Sequence, residues 1–281
     1  MIEKTVTPAT GVSPATEEPQ PRPEPLYVER EDAVATIVIN QPEKQNVITL
    51  AMWQELPGIV DALSGDDSLR CVVLRGTGEE AFSAGCDISE FANVRANRKQ
   101  SIVYGHAMQK ALAAFERCRH PLVAVSRGIC LGAGVELLSL CDIRICCESA
   151  TFGLTAKTLG MALSYAELEP LLRLLGPDTL LELLLEGRVF PAAEAKEKKL
   201  VTRVVPDDML AEETALTIQR IIKGAPLVAR WHKQFVRRLS VHPHPVTAKE
   251  NLESFDSFDT EDYRSGCAAF LLRDHPVFKG K

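Results

Sequence analysis

No run of about 18 apolar residues occurs in the 281-residue chain, and Met1 is not followed by a basic stretch and an apolar one. Neither a membrane-spanning helix nor a secretory leader is expected. Positive charge is in short supply: 32 Lys and Arg stand against 38 Asp and Glu, a net charge of -6. That balance argues against nucleic acid or an anionic membrane as the main partner, while leaving room for a local basic pocket that meets a phosphorylated ligand. The eight cysteines (Cys71, Cys86, Cys118, Cys130, Cys141, Cys146, Cys147 and Cys267) include no C-x-x-C pair and no His/Cys cluster at zinc spacing. They read as small buried apolar residues of a reduced, cytosolic protein, and no metal is expected.

Several catalytic signatures are missing as well. There is no G-x-S-x-G turn and no phosphate-binding P-loop. Gly132-Ala133-Gly134 is a fragment of a dinucleotide fingerprint that lacks its third glycine and a suitably placed acid, which makes a Rossmann site improbable. No histidine neighbours a matching serine: His120 precedes a strand, and His242 and His244 lie in a Pro-rich loop. All three read as surface or loop positions, and Arg117-Cys118-Arg119-His120 reads as a solvated basic loop. No internal repeat of regular period is visible.

What is present is ordinary globular material, 46% hydrophobic and 25% charged, enough for a large core in one or two domains. Residues 1–25, rich in Pro, Thr and Glu, are expected to form a flexible tail. Alternation predicts a strand pair over Leu26–Glu29 and Ala33–Asn40, followed by the loop QPEKQN and a helix capped by Thr49 that runs to about Leu63. Cys71–Gly76, Pro121–Val125 and Asp142–Cys147 read as buried strands, and Ser101–Arg117 and Gly132–Leu140 as helices, the order of an α/β core. From about Tyr165 the pattern is almost entirely helical, with later helices at Asp207–Ile222, Pro226–Leu239, Val246–Ser257 and Thr260–Arg273. The expected division is a tail (1–25), a sheet-containing core (26–205) and a helical region (206–281), some of whose apolar faces meet another subunit.

Two stretches carry the chemistry. In Arg127–Leu138 a strand breaks into small residues and restarts as a helix bearing Glu136. Small residues let the backbone approach a ligand, and the restarting helix offers unpaired N–H groups. Glu80–Phe91 repeats the device with its A-G-x-D-I core and a helix start at Asp87. Two such turns can aim two N–H groups at one developing oxyanion.

AFSAGCDISEF, CLGAGVELLSLCDIRI and SFDTEDYRSGCAAFLLRDHPVFKGK, in that order, resemble the crotonase superfamily, the enoyl-CoA hydratase/isomerase family, over residues 26–281. NQPEKQNVI is similar to the family's first CoA-contacting loop, and FGL followed by Leu159-Gly160 is similar to its next frame. The resemblance implies an α/β fold, a spiral of ββα turns with a helical C-terminal trimerisation region, assembled as a homotrimer or as a hexamer of paired trimers. It implies an acyl-CoA substrate, no cofactor beyond the CoA of that substrate, and an enolate held by the N–H groups of Cys86 and Ala133. Family members usually carry glycine where this chain has Ala133. Lys44, Gln45, Val47, Ala84, Asp87 and Ile88 match positions that contact CoA, largely through backbone.

Glu136 matches one of the two catalytic carboxylates of the family's hydratases, but the other falls on Ala156, which carries no acid. The expected function is therefore enoyl-CoA hydration with Glu136 as general acid/base. The alternatives are another reaction of the family (isomerisation, decarboxylation or thioester cleavage) and a catalytically weak acyl-CoA-binding homologue. Glu167 and Glu169 are candidates for a displaced second acid, although both read first as exposed residues in the opening turn of a helix.

Overall fold

The computed structural model describes residues 24–241, 245–253 and 255–281. The expected tail lies outside these residues except at its end, where Glu24 and Pro25 offer their carbonyls to the Asn40 side chain and N–H (2.9 and 2.8 Å). His242 and His244 also lie outside them.

Strands β1 (Leu26–Glu31) and β2 (Val34–Ile39) form the expected antiparallel pair, turning at Asp32 with φ 48°. Strand β3 (Cys71–Gly76) follows helix α1 (Leu50–Gly65), whose N-cap Thr49 accepts from the Met52 N–H at 3.4 Å. It lies parallel to β2, and the sheet continues in parallel through β5 (Leu122–Ser126), β7 (Ile143–Cys147) and β10 (Arg203–Val205). A run of Val, Ile, Leu and Cys with both faces covered is what a buried parallel strand requires.

A second sheet is built from β4 (Ala81–Ser83), β6 (Ile129–Leu131), β8 (Thr151–Gly153) and β9 (Val189–Pro191). Each is three residues long, too short to show alternation, and only β6, the strand read ahead of the Gly132 turn, was visible in the sequence. Together they create a repeat: β3–β4, β5–β6 and β7–β8 are each a long strand followed by a short one in the other sheet, then by helix. The units begin at Cys71, Leu122 and Ile143, intervals so unequal that no sequence period survives.

Helices fill the remaining spaces: α2 (Phe91–Val94), α3 (Arg98–Arg117), α4 (Ala133–Ser139), α5 (Tyr165–Leu175), α6 (Pro177–Glu186) and α7 (Ala192–Glu197). The reading of the chain after Tyr165 as almost entirely helical thus missed the short strands β9 and β10. Beyond Val205 the described residues hold only helical elements and their connections, namely α8 (Leu210–Ile222), α9 (Pro226–Val241), α10 (Ala248–Glu253) and α11 (Glu261–Leu272). The predicted helix over Val246–Ser257 is shorter, ending at Glu253 ahead of a separate 3-10 turn.

One core holds both sheets together, with Trp53, Phe82, Phe115, Phe152 and Phe190 among its largest fully buried side chains. Asn46, fully buried at φ 54°, ties the QPEKQN loop to the β3–β4 connection. Its amide donates to the Thr77 and Ala81 carbonyls (2.8 and 2.7 Å) and its oxygen accepts from the Gln41 N–H (2.9 Å).

The basic stretch before β5 is not a solvated loop throughout. Arg117 and Arg119 pair with Asp61 and Asp67 at the surface (3.3 and 2.7 Å), but Cys118 and His120 are buried. Chain direction explains this: Pro121 must enter the parallel sheet, and the preceding residues are drawn under α1. Burial, and then the Arg230 and Arg119 charges, push His120 down to about 4 from 6.5. The neutral imidazole is therefore favoured in the fold. This contribution to stability is whole above pH 6.5 and is lost as pH falls through 4, at most about 3 kcal/mol. Urea midpoints should drop across that window in the wild type, and His120→Leu should flatten the drop. Six of the eight cysteines are buried as expected, whereas Cys86 is half-buried and Cys267 is exposed.

Candidate active site

The two turns singled out in the sequence meet at the ends of β4 and β6, neighbours in the second sheet. After β4 the chain runs Ala84-Gly85-Cys86 alongside Ile48. The Gly85 carbonyl accepts from the Ile48 N–H (2.8 Å) and the Asp87 N–H donates to the Ile48 carbonyl (3.0 Å). Extended backbone alternates, so the Cys86 N–H points to the opposite side. After β6, Gly132 (φ 50°) reverses the chain, and its carbonyl accepts from Val135 and Glu136 (2.9 and 3.2 Å), opening α4. Ala133 is the first helical residue, and its N–H has no acceptor within the helix. Among the described residues neither the Cys86 nor the Ala133 N–H donates to a protein acceptor.

Gly85 explains how closely the turns approach. It sits at φ 94°, and a Cβ there would stand 2.9 Å from the Leu131 carbonyl oxygen and 3.2 Å from the Ala133 nitrogen. Gly134 serves the same end as the second residue of α4, where a Cβ would fall 2.6 Å from the Ser83 carbonyl oxygen. Side chains at these two positions would force α4 away from β4.

Both donors line a cavity of about 70 Å³, together with Glu136 and a largely apolar wall that includes Ile88, Phe91, Met108 and Leu163. Larger clefts exist, one of about 510 Å³ between Arg173 and Arg237, but they are open and gather neither donor. Glu136 is 4% exposed, and its Oε2 is buried with no hydrogen-bond partner among the described residues. Burial raises its carboxyl well above the ordinary range, the Glu167 charge adds to this, and Arg95 opposes it. Burial thus favours the protonated form of Glu136, and its Oε2 is left without a protein partner. The Cys86 sulfur lies 3.9 Å from Met108 Sδ, and burial pushes the thiol up to about 12. It is a wall of the cavity, and the thiolate needed for nucleophilic chemistry is suppressed.

Ala156, on the 3-10 turn after β8, lines the same cavity with its methyl group. The opening turn of α5 brings the correction. Glu169 is exposed and pairs with Arg173 (3.1 Å), as its position suggested, but Glu167 is 8% exposed and lines the cavity. Ser164-x-x-Glu167 is a capping box: Glu167 Oε2 accepts from the Ser164 N–H at 2.6 Å, which folds the side chain back under the helix. Arg95, which sequence reasoning passed over, also lines the cavity, its guanidinium 5.2 Å from the Phe91 ring centre and 4.8 Å from that of Tyr104. Its position follows from packing of the α2–α3 connection, for which no local pattern exists.

Of the positions matched to CoA contacts, Ala84 and Ile88 line the cavity, whereas Lys44, Gln45, Val47 and Asp87 are not among its lining residues. Lys44 and Gln45 are exposed on the loop before α1, Gln45 at φ 55°, and Val47 is half-buried beside them. Asp87 is only 6% exposed, and its carboxylate is already engaged. It caps the following 3-10 turn through Ser89 and pairs with Lys44 at 3.1 Å. Burial alone would raise its carboxyl; the Ser89 and Lys44 contacts outweigh burial and lower it.

Known proteins resemble this chain in sequence and in fold. A profile of the family described as enoyl-CoA hydratase/isomerase matches residues 29–281. A protein of Rhizobium meliloti named a probable enoyl-CoA hydratase is 33% identical over 264 residues, covering 91% of this chain and 98% of its own. Among solved structures, an enoyl-CoA hydratase/carnithine racemase from Magnetospirillum magneticum shares 42% identity with a TM-score of 0.89, over 92% of this chain and 96% of its own. An enoyl-CoA hydratase from Bacillus anthracis shares 31% identity with a TM-score of 0.85, over 92% of this chain and all of its own. The profile spans most of the chain and the relatives align over nearly their whole length, so the chain belongs to the enoyl-CoA hydratase/isomerase family.

Proposed function

We propose that the protein adds water to 2-enoyl-CoA thioesters. The observation that carries this reading is the convergence, on a single apolar cavity, of two N–H groups with no protein acceptor and one buried carboxyl group whose protonated form burial favours. A thioester carbonyl seated between the Cys86 and Ala133 N–H groups becomes more electrophilic, and the enolate formed when water attacks Cβ is stabilised there by donors that need no reorganisation. Glu136 supplies the proton that Cα must receive. The CoA moiety is held along the outer rim, with Lys44, Gln45, Val47 and Ala84 offering backbone, Ile88 offering apolar surface, and Asp87 acting chiefly by fixing that rim. No cofactor beyond the CoA of the substrate is required by this chemistry.

The test is loss of the conjugated-thioester absorbance with crotonyl-CoA and a panel of longer and aromatic enoyl-CoAs, run beside a binding titration with saturated analogues. Turnover of any member supports hydration. Tight binding with no turnover of any member overturns it in favour of acyl-CoA binding or another thioester reaction.

Among the described residues no helix is long and apolar enough to cross a membrane; the eight free cysteines support a reducing compartment, and the cytosol is the location we propose. The late helices expose large apolar side chains, including Phe270 (83%) and Leu272 (78%), more than a lone chain comfortably presents to water. A homotrimer, or two paired trimers, covers them; sedimentation showing only monomer at micromolar concentration would contradict this.

A further inference from the structure

Position 156 has only a methyl group, yet the cavity is not short of carboxylates. Glu136 from α4 and Glu167 from α5 are the two acidic residues lining it among the described residues, and α4 packs directly on α5. Glu169, the other acid of that turn, faces away to Arg173. Glu167 reaches inward because its Oε2 is fixed by the Ser164 N–H, and a buried carboxylate beside a second one needs a reason to be there.

The geometry points to Glu167 as the second catalytic carboxyl group of this site, delivered by the capping box of α5 in place of an acid at position 156. This assignment rests on the hydration reading and deepens it. Glu167, as carboxylate, takes one proton from water as the water oxygen bonds to Cβ. The π pair moves through Cα to the thioester oxygen, held by the Cys86 and Ala133 N–H groups. Collapse of the enolate forms the Cα–H bond with the proton of Glu136. The proton on Glu167 then returns to Glu136, directly or through solvent, and the pair is reset with one proton between them. Arg95 is the counter-charge in the same cavity: with one carboxyl neutral and one ionised, its guanidinium balances the site. It is a positioning residue, held by the Phe91 and Tyr104 rings. The groups facing Glu136 are therefore Glu167 from α5, Arg95 from the α2–α3 connection and the neutral Cys86 thiol.

Glutamine at the third helical position also completes a capping box, so Glu167→Gln keeps the fold of α5 and removes only the acid/base function. It is expected to lower kcat on enoyl-CoA about 10²- to 10³-fold with KM within a few-fold, and to remove one limb of the kcat pH profile. Adding Ala156→Glu to Glu167→Gln is expected to restore at least 10-fold of that loss. A Glu167→Gln enzyme with kcat within about 3-fold of wild type and an unchanged pH profile overturns the assignment. A second readout needs no turnover: the carboxylic-acid C=O stretch of Glu136, followed by infrared spectroscopy against pH and identified by its loss in Glu136→Gln. Removing the Glu167 charge must lower its titration midpoint, and a midpoint left in place overturns the pairing. If the wild type turns over no enoyl-CoA, the hydration reading fails, and the infrared midpoint still decides whether the two carboxyl groups act as a pair.

Discussion

Glu136→Gln is expected to reduce turnover of enoyl-CoA by about 10³-fold or more, towards the upper end of what positioned acid–base catalysis supplies, while binding of saturated acyl-CoA stays within a few-fold. The amide keeps the shape of the acid and cannot donate a proton to carbon. The same substitution makes an unusual stability prediction. In the native state burial, then the Glu167 charge, raises the Glu136 carboxyl above its ordinary 4.5, against a smaller opposing effect of Arg95. Its contribution to stability is whole below pH 4.5 and falls as pH rises through the folded value, because the unfolded chain releases the proton first. At pH 7 the wild type bears the cost of a buried acid that its unfolded state does not. The glutamine variant should therefore unfold at an equal or higher urea concentration, with a flatter pH dependence. Loss of activity accompanied by a large loss of stability would assign Glu136 a packing role; retained turnover would remove it from the mechanism.

Ala133→Pro removes the N–H and puts the ring Cδ where the thioester oxygen would sit. Ala133 opens α4, a position where the N–H is outside the helix ladder and where proline's fixed φ suits the helix. The preceding residue, Gly132, tolerates the restriction that proline imposes on its neighbour better than any residue with a Cβ. The expected result is a kcat lowered about 10²- to 10³-fold, in line with loss of one oxyanion donor, with an unfolding midpoint close to wild type. Ala133→Gly, which keeps the N–H, should stay within about 10-fold. The contrast separates an open N–H site from a blocked one, whatever the side chain at 133. Equal activity of the proline and glycine variants would mean that the thioester oxygen is held elsewhere.

Much of this site could be read from letters because its donors are main chain. Gly85 and Gly132 mark places where the backbone must turn at positive φ, and the small residues around them signal that two turns come together. Glu136 stood out as an acid in the first turn of an otherwise apolar helix. Glu167 was legible in principle, since Ser164-x-x-Glu167 is a capping-box pattern, but that pattern says only that the carboxylate folds back on its helix start. Whether this end faces solvent or a cavity depends on how α5 packs on α4, a tertiary fact. Arg95 carried no signal at all, being one basic residue in a polar connection. Apart from β6, the three-residue strands of the second sheet were hidden for a different reason: each is fixed by pairing with a segment distant in sequence, and three residues cannot display a period of two. His120 was misplaced because loops are usually wet, whereas this one is drawn beneath α1 by the strand it feeds.

The most direct test of the account is product analysis after incubating the wild-type protein with crotonyl-CoA in D2O, by mass spectrometry and NMR. The account predicts 3-hydroxyacyl-CoA carrying one deuteron at Cα, the atom that receives its proton from the carboxyl pair, and loss of both label and hydroxylation in Glu136→Gln. Recovery of unlabelled, still conjugated crotonyl-CoA, repeated with every longer enoyl-CoA tried, would contradict it.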